Sequence, residues 1–224
     1  MVLEVIALLG FGLLVLRLGW NVVVQASSLN AWWMLLPAAL IAYLAADFLS
    51  GMVHWFCDSF YREDTPLVGT LVIKSFREHH RDPHAICRHG FVEVNANNCL
   101  GVSVPLLIEL WVRPDAAGYT SFIVRAFLFA FALAMFGTNQ FHKWAHAKRV
   151  PNAVAWLQQK SLILKPSHHQ IHHRGRYDHH YCITTGWMNL MLDRIHFFQR
   201  FEWCIRSLVL NPSRLLFRSK SRGA

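Results

Sequence analysis

Residues 119–146 read YTSFIVRAFLFAFALAMFGTNQFHKWAH. Through residue 137 the run is strongly apolar and uncharged apart from Arg125, and it is long enough to cross a bilayer as a helix, which takes roughly 20 residues. His142 and His146 follow directly, four residues apart. On a continuing helix that spacing puts both imidazoles on one face, where they can meet one metal ion. A span that runs into a pair of ligand candidates implies a membrane protein with its chemistry at the membrane edge.

Composition agrees. The 224 residues are 54% hydrophobic and 16% charged, against about 25% charged in an average soluble domain. Five cysteines are scattered without a C-x-x-C pair, which argues against a disulfide scaffold or a thiolate zinc site. Three further runs could span: residues 2–20, apolar apart from Glu4 and Arg17; residues 31–49, opening on a Trp pair suited to the interface; and the shorter 98–112, which contains Pro105. The first reads as a retained anchor rather than a cleaved signal. The expected fold is an all-α integral membrane protein, a four-span helix bundle with a cytosolic histidine-rich di-metal cap. Its parts are an anchor and link at 1–30, a main domain at 31–200 that holds the three further spans and the cytosolic histidines, and a basic tail at 201–224.

Charge sets the topology. The links 25–30 and 113–118 hold one basic residue between them, Arg113, whereas 61–90 holds five and the chain from Lys143 onward holds fourteen. Nineteen of the 22 basic residues therefore fall on one side of a double hairpin. The positive-inside rule places that side, with both termini, in the cytosol. The net charge of +9 is then mostly topology and attraction to anionic lipid, and nucleic acid is not an expected partner. The segment 194–222 mixes basic and apolar residues in a way that suits the membrane surface.

All fourteen histidines fall on the same side. His54 lies beyond the second span in DFLSGMVHWFCDSF; His79, His80, His84 and His89 lie in FREHHRDPHAICRHGF; His168, His169, His172, His173, His179 and His180 crowd into KPSHHQIHHRGRYDHHYC. His169 with His172 and His173, and His168 with His172, are further helical pairs. Asp47, Gly51, His54 and Asp58 form one helical stripe, and acids near a membrane usually face a protein interior. So many imidazoles suit two metal ions, and nitrogen-rich ligation is compatible with iron. Asp47, Asp58, Glu78 and Asp178 are expected to accept imidazole N–H bonds, with direct ligation open to Asp58. Glu109 and Arg125 sit at similar depth and are expected to pair. Arg77, Arg81, Lys165 and Arg174 are candidates for holding a lipid phosphate.

In order, DFLSGMVHW, FREHH, RHGFVEVNANNC, TNQFHKWAH, HHQIHH and YCITTGWMN resemble the plasmanylethanolamine desaturases, which include CarF and the Kua-type membrane lipid desaturases; plant plastid lipid desaturases are relatives. The resemblance covers roughly 45–200. It implies a di-iron enzyme that uses O2 to convert the alkyl ether chain of an ethanolamine phospholipid to the vinyl ether of a plasmalogen. It also implies His54, His79, His80, His142, His146, His168, His169, His172 and His173 as metal ligands, with His89 a ligand or a donor to one. No flavin, haem or dinucleotide fingerprint is present, so electrons are expected from a separate cytochrome b5 or ferredoxin-type protein. Two alternatives stay open from the residues: an acyl-lipid desaturase or hydroxylase on the same scaffold, and a divalent-metal transporter or sensor. Against the transporter, the spans carry no histidine at mid-depth. Neither oligomeric state nor double-bond geometry is encoded in these motifs.

Overall fold

The computed structural model describes the backbone of residues 1–69, 73–114 and 116–209 and the side chains among them up to 207; of the basic tail expected at 201–224, residues 210–224 lie outside the described residues. Ten α-helices make up the regular structure of the described part, with one 3-10 turn at Trp32–Met34. The helices are α1 (Val2–Ser28), α2 (Leu35–Ser59), α3 (Lys74–Arg81), α4 (Ala85–Arg88), α5 (Phe91–Val112), α6 (Gly118–His146), α7 (Asn152–Gln159), α8 (Pro166–His172), α9 (Trp187–Arg194) and α10 (Phe197–Val209). Four segments are long and apolar enough to cross a membrane: Val2–Ser28, Trp32–Ser59, Phe91–Val112 and Gly118–His146. Each expected span is present and longer than its apolar run. Thus α2 continues through His54 and Asp58, and α6 carries His142 and His146 on its final turns. Pro105 sits inside α5 without ending it.

By internal contacts the chain divides into two compact units. The first comprises residues 1–46 and 89–140. Its core joins Phe11, Val15 and Leu18 of α1 to Cys99, Val102 and Leu106 of α5 and Ala132 and Met135 of α6. A second cluster is built on Ala26, Ala31, Ala38 and Ala126, small residues that let membrane helices approach closely. The expected ion pair is present: the Arg125 guanidinium donates to Glu109 at 3.0 Å, and both are buried. Arg125 also donates to the carbonyls of Arg113 and Pro114, which satisfies backbone groups at the end of α5.

Among the described residues, the second unit comprises those of 47–88 and 141–209. Trp55 and Phe60 of α2 pack with Tyr181, Cys182, Leu192 and Phe198, while Ala145, Leu164 and Ile183 form a smaller core. Arg77 of α3 donates to the carbonyls of Cys57, Phe60 and Tyr61. It thereby caps the C-terminus of α2, whose last carbonyls have no helical partner. All five cysteines are free thiols.

Candidate metal centre

Nine side chains of the second unit converge as two groups whose ligand atoms lie within 4.8 Å of one another in each group. One group is all imidazole: His79, His142, His146, His169 and His173. The other is His54, His80 and His172 with the Asp58 carboxylate. Helix geometry explains the adjacent-histidine doublets. Neighbours on a helix point about 100° apart, so one doublet can serve two sites. His79 and His173 enter the first group, and their neighbours His80 and His172 enter the second. The four-residue spacing of His142 and His146 instead puts both into one group.

The donor set fits metal ions better than it fits hydrogen bonds. In the first group the Nε2 atoms of His142, His146 and His169 form a closed triangle with sides of 2.9, 2.9 and 3.2 Å. A neutral imidazole nitrogen is either a donor or an acceptor. Three such atoms cannot be donor-acceptor pairs on all three sides, so at least one contact would be unsatisfied. Atoms sharing one ion face no such conflict, since metal–nitrogen bonds of roughly 2.1 Å allow spacings up to about 4.2 Å. His173 adds a fourth Nε2, 3.0 Å from that of His169. The buried Nε2 atoms of His79 and His54 have no hydrogen-bond partner. In the second group the Asp58 Oδ2 lies 3.5, 3.6 and 3.4 Å from the Nε2 atoms of His54, His80 and His172. Burial, then the neighbouring imidazoles, hold His79 and His169 well below the ordinary imidazole pKa, and push His173 down to about 3. The neutral, ligating form is therefore favoured.

Residues 43–214 match the lipid desaturase domain. The chain belongs to the lipid desaturase domain family. It is 47% identical over 171 residues to a plasmanylethanolamine desaturase of Myxococcus xanthus, covering 76% of this chain and 60% of that protein. It is 44% identical over 169 residues to plasmanylethanolamine desaturase 1 of Mus musculus, covering 74% and 62%. Fatty acid desaturase 4, chloroplastic, of Arabidopsis thaliana is 34% identical over 167 residues, covering 74% and 50%. The chain thus spans between 50% and 62% of the length of these curated relatives. No solved structure matches it significantly.

In this lipid desaturase-domain chain two of the three imidazoles of the second group, His54 and His172, are oriented by backbone, where sequence reasoning expected carboxylates. His54 Nδ1 lies 3.1 Å from the Tyr181 carbonyl, and His172 Nδ1 lies 2.7 Å from that of His179. A carbonyl only accepts, so each ring carries its proton on Nδ1 and turns its Nε2 lone pair toward Asp58 and the site. No residue type marks such a carbonyl, so nothing in the sequence could have flagged it. Asp58 stands among the ligand atoms, the direct role left open for it. Asp47 instead accepts four backbone N–H groups, from Thr184, Thr185, Gly186 and Met188, at 2.7–3.1 Å. Asp178 pairs with His179 at 2.8 Å, and Glu78 is in neither group.

His168 is also in neither group. It turns the other way from His169, its ring 4.9 Å from that of His180 and near the Asn189 amide. His180 in turn pairs with Asp193 at 2.6 Å. His89 belongs to the first unit and pairs with Glu93 at 2.8 Å. Among the proposed phosphate-binding cations, Arg77 caps α2, Arg81 forms a two-pronged pair with Glu63, and Arg174 donates to Gln170. Lys165 stands at the N-cap of α8.

Proposed function

We propose that this chain is a membrane di-iron lipid desaturase that converts plasmanylethanolamine to plasmenylethanolamine. The observation that carries the reading is the pair of contiguous ligand groups, one of five imidazoles and one of three imidazoles with a carboxylate. Likeness to proteins named plasmanylethanolamine desaturase supports the substrate. The reaction removes two hydrogens from adjacent carbons of the ether-linked chain. With O2, two electrons and two protons, it yields the vinyl ether and two waters. Two irons, one per group, would supply the activation of O2. His79, His142, His146, His169 and His173 would hold one, and His54, Asp58, His80 and His172 the other.

The protein's own part is positioning and exclusion of water. His54 and His172 are wholly buried and their tautomers are fixed by carbonyls. The electrons come from a separate donor of cytochrome b5 or ferredoxin type. The positive-inside pattern supports a cytosolic location for the histidine groups and both termini. Likeness to a chloroplastic fatty acid desaturase supports a second reading, an acyl-lipid desaturase with the same centre.

The test is lipid mass spectrometry on a plasmalogen-free host that expresses the protein with an electron donor and is fed an alkyl ether lipid. Vinyl ether lipid is expected. Unchanged alkyl ether from folded, iron-loaded protein overturns the substrate, and desaturated acyl chains in its place establish the second reading. Purified protein is expected to carry two irons. His79→Ala and His80→Ala, one residue apart, should each lose one iron, from different groups. Stoichiometric zinc with activity intact in both variants would sink the di-iron centre.

A further inference from the structure

Between α8 and α9 the chain crosses the site as a strap, residues 177–186, with no helix or strand of its own. Two of its non-glycine residues, Tyr177 and His180, adopt positive φ (51° and 58°), which is uncommon for bulky side chains and is held only when surroundings impose it. Side chains from two helices supply the constraint. Asp47 of α2 takes the N–H groups of Thr184, Thr185, Gly186 and Met188. Ser50, one turn on, accepts from Ile183 at 2.9 Å. Asn189 of α9 brackets Cys182, accepting from its N–H at 2.8 Å and donating to its carbonyl at 3.0 Å. Gly186 meets Asp47 at φ +79°, a conformation that favours glycine.

The strap serves the two metal groups unequally. Its carbonyls at Tyr181 and His179 fix His54 and His172, and the Tyr177 ring stacks on His80 at 4.4 Å. Every imidazole of the second group therefore leans on it. The ring nitrogens of the five-imidazole group make no hydrogen bond to the strap; its nearest ring contact there is His173 to Tyr177, at 6.2 Å.

Resting on the di-metal reading above, we propose that Asp47 is a positioning residue that controls retention of one ion only. It pins the strap, the strap orients His54 and His172, and the site of His54, Asp58, His80 and His172 is the half that depends on it. Asp47 binds no metal itself in this scheme; its lever is three amides of the strap, those of Thr184, Thr185 and Gly186, with a fourth, that of Met188, at the start of α9. Loss of a group that orients metal ligands typically lowers metal affinity by about 10–100-fold. That factor should fall on one ion and spare the other.

The experiment is iron per chain in purified full-length protein across a graded chelator challenge, alongside activity. Wild type is expected to hold two irons at chelator levels where Asp47→Ala holds one. Asp47→Asn keeps an oxygen for three of the four amides and should fall between them. The remaining iron in Asp47→Ala should be lost on adding His146→Ala and kept on adding His80→Ala, which assigns it to the five-imidazole group. If Asp47→Ala does not fold, Ser50→Ala, which removes one strap acceptor, should show a smaller shift in the same direction. Retention of both irons by a folded Asp47→Ala, or equal loss of both, overturns the asymmetry while the di-metal reading stands. A wild type that binds no iron overturns that reading, and the inference with it.

Discussion

Gly51→Ala puts two opposed effects on one methyl group. Gly51 lies within α2, on the same stripe as Asp47 and His54. In an open helix the substitution should stabilise by about 1 kcal/mol, because alanine loses less backbone entropy. Here the new Cβ would stand 2.5 Å from Cys182 Sγ, 3.2 Å from the Cys182 backbone nitrogen and 3.2 Å from Phe198. Carbon contacts are comfortable near roughly 3.5 Å, so Cys182 must retreat by about 1 Å. It is fully buried in the strap, and overpacking of this kind costs about 1–3 kcal/mol. The strain wins, with a net loss of about 1 kcal/mol, or about 2–4 °C in Tm for a chain of this size. The same retreat would lengthen the 3.1 Å contact from His54 Nδ1 to the neighbouring Tyr181 carbonyl, so iron retention should fall as well. The assay is thermal unfolding at a fixed scan rate in nanodiscs, with iron per chain measured on the same samples. Gly101→Ala in α5 is the control, since nothing lies within 4 Å of its added Cβ; it should be neutral or stabilising. Adding Cys182→Ala to Gly51→Ala should recover part of the loss. If Gly51→Ala behaves like Gly101→Ala in both readouts, the close approach of α2 and strap is wrong.

The chelator-stripped protein should weaken on acidification. His79, His169 and His173 have lowered pKa values when folded, so below the ordinary imidazole value near 6.5 the unfolded chain takes up protons that the folded one refuses. Stability is full above pH 6.5 and declines below it by up to about 1.4 kcal/mol per pH unit for each such imidazole, for His173 as far as about pH 3; melting curves of stripped protein between pH 7.5 and 5.5 test this, and a flat profile refutes it. In the first unit, Glu109→Ala leaves the Arg125 guanidinium buried without its carboxylate. The loss should be about 3 kcal/mol, the low end for a broken buried pair, because two carbonyls still accept from Arg125. The double substitution Glu109→Leu with Arg125→Met should cost less in thermal unfolding, and equal losses would contradict a buried pair.

Sequence alone determined the four helices long and apolar enough to cross a membrane, because uninterrupted apolar runs of that length have few alternatives. It also determined which residue types would gather, because imidazoles confined to the ends of two apolar runs and the polar segments that follow have few other places to meet. Eight of the nine histidines expected as ligands stand in the two groups, and Asp58 stands with them. The division of labour came only from tertiary structure. His168 and His169 are adjacent and chemically identical, yet the orientation of α8 sends one into the site and the other toward His180 and Asn189. Asp47 and Asp58 share a stripe on α2, yet one meets imidazoles and the other meets amides. The atoms that fix His54 and His172 are backbone carbonyls. Every residue carries one, so sequence gives them no distinguishing mark until the fold brings residues 127 and seven positions apart into contact.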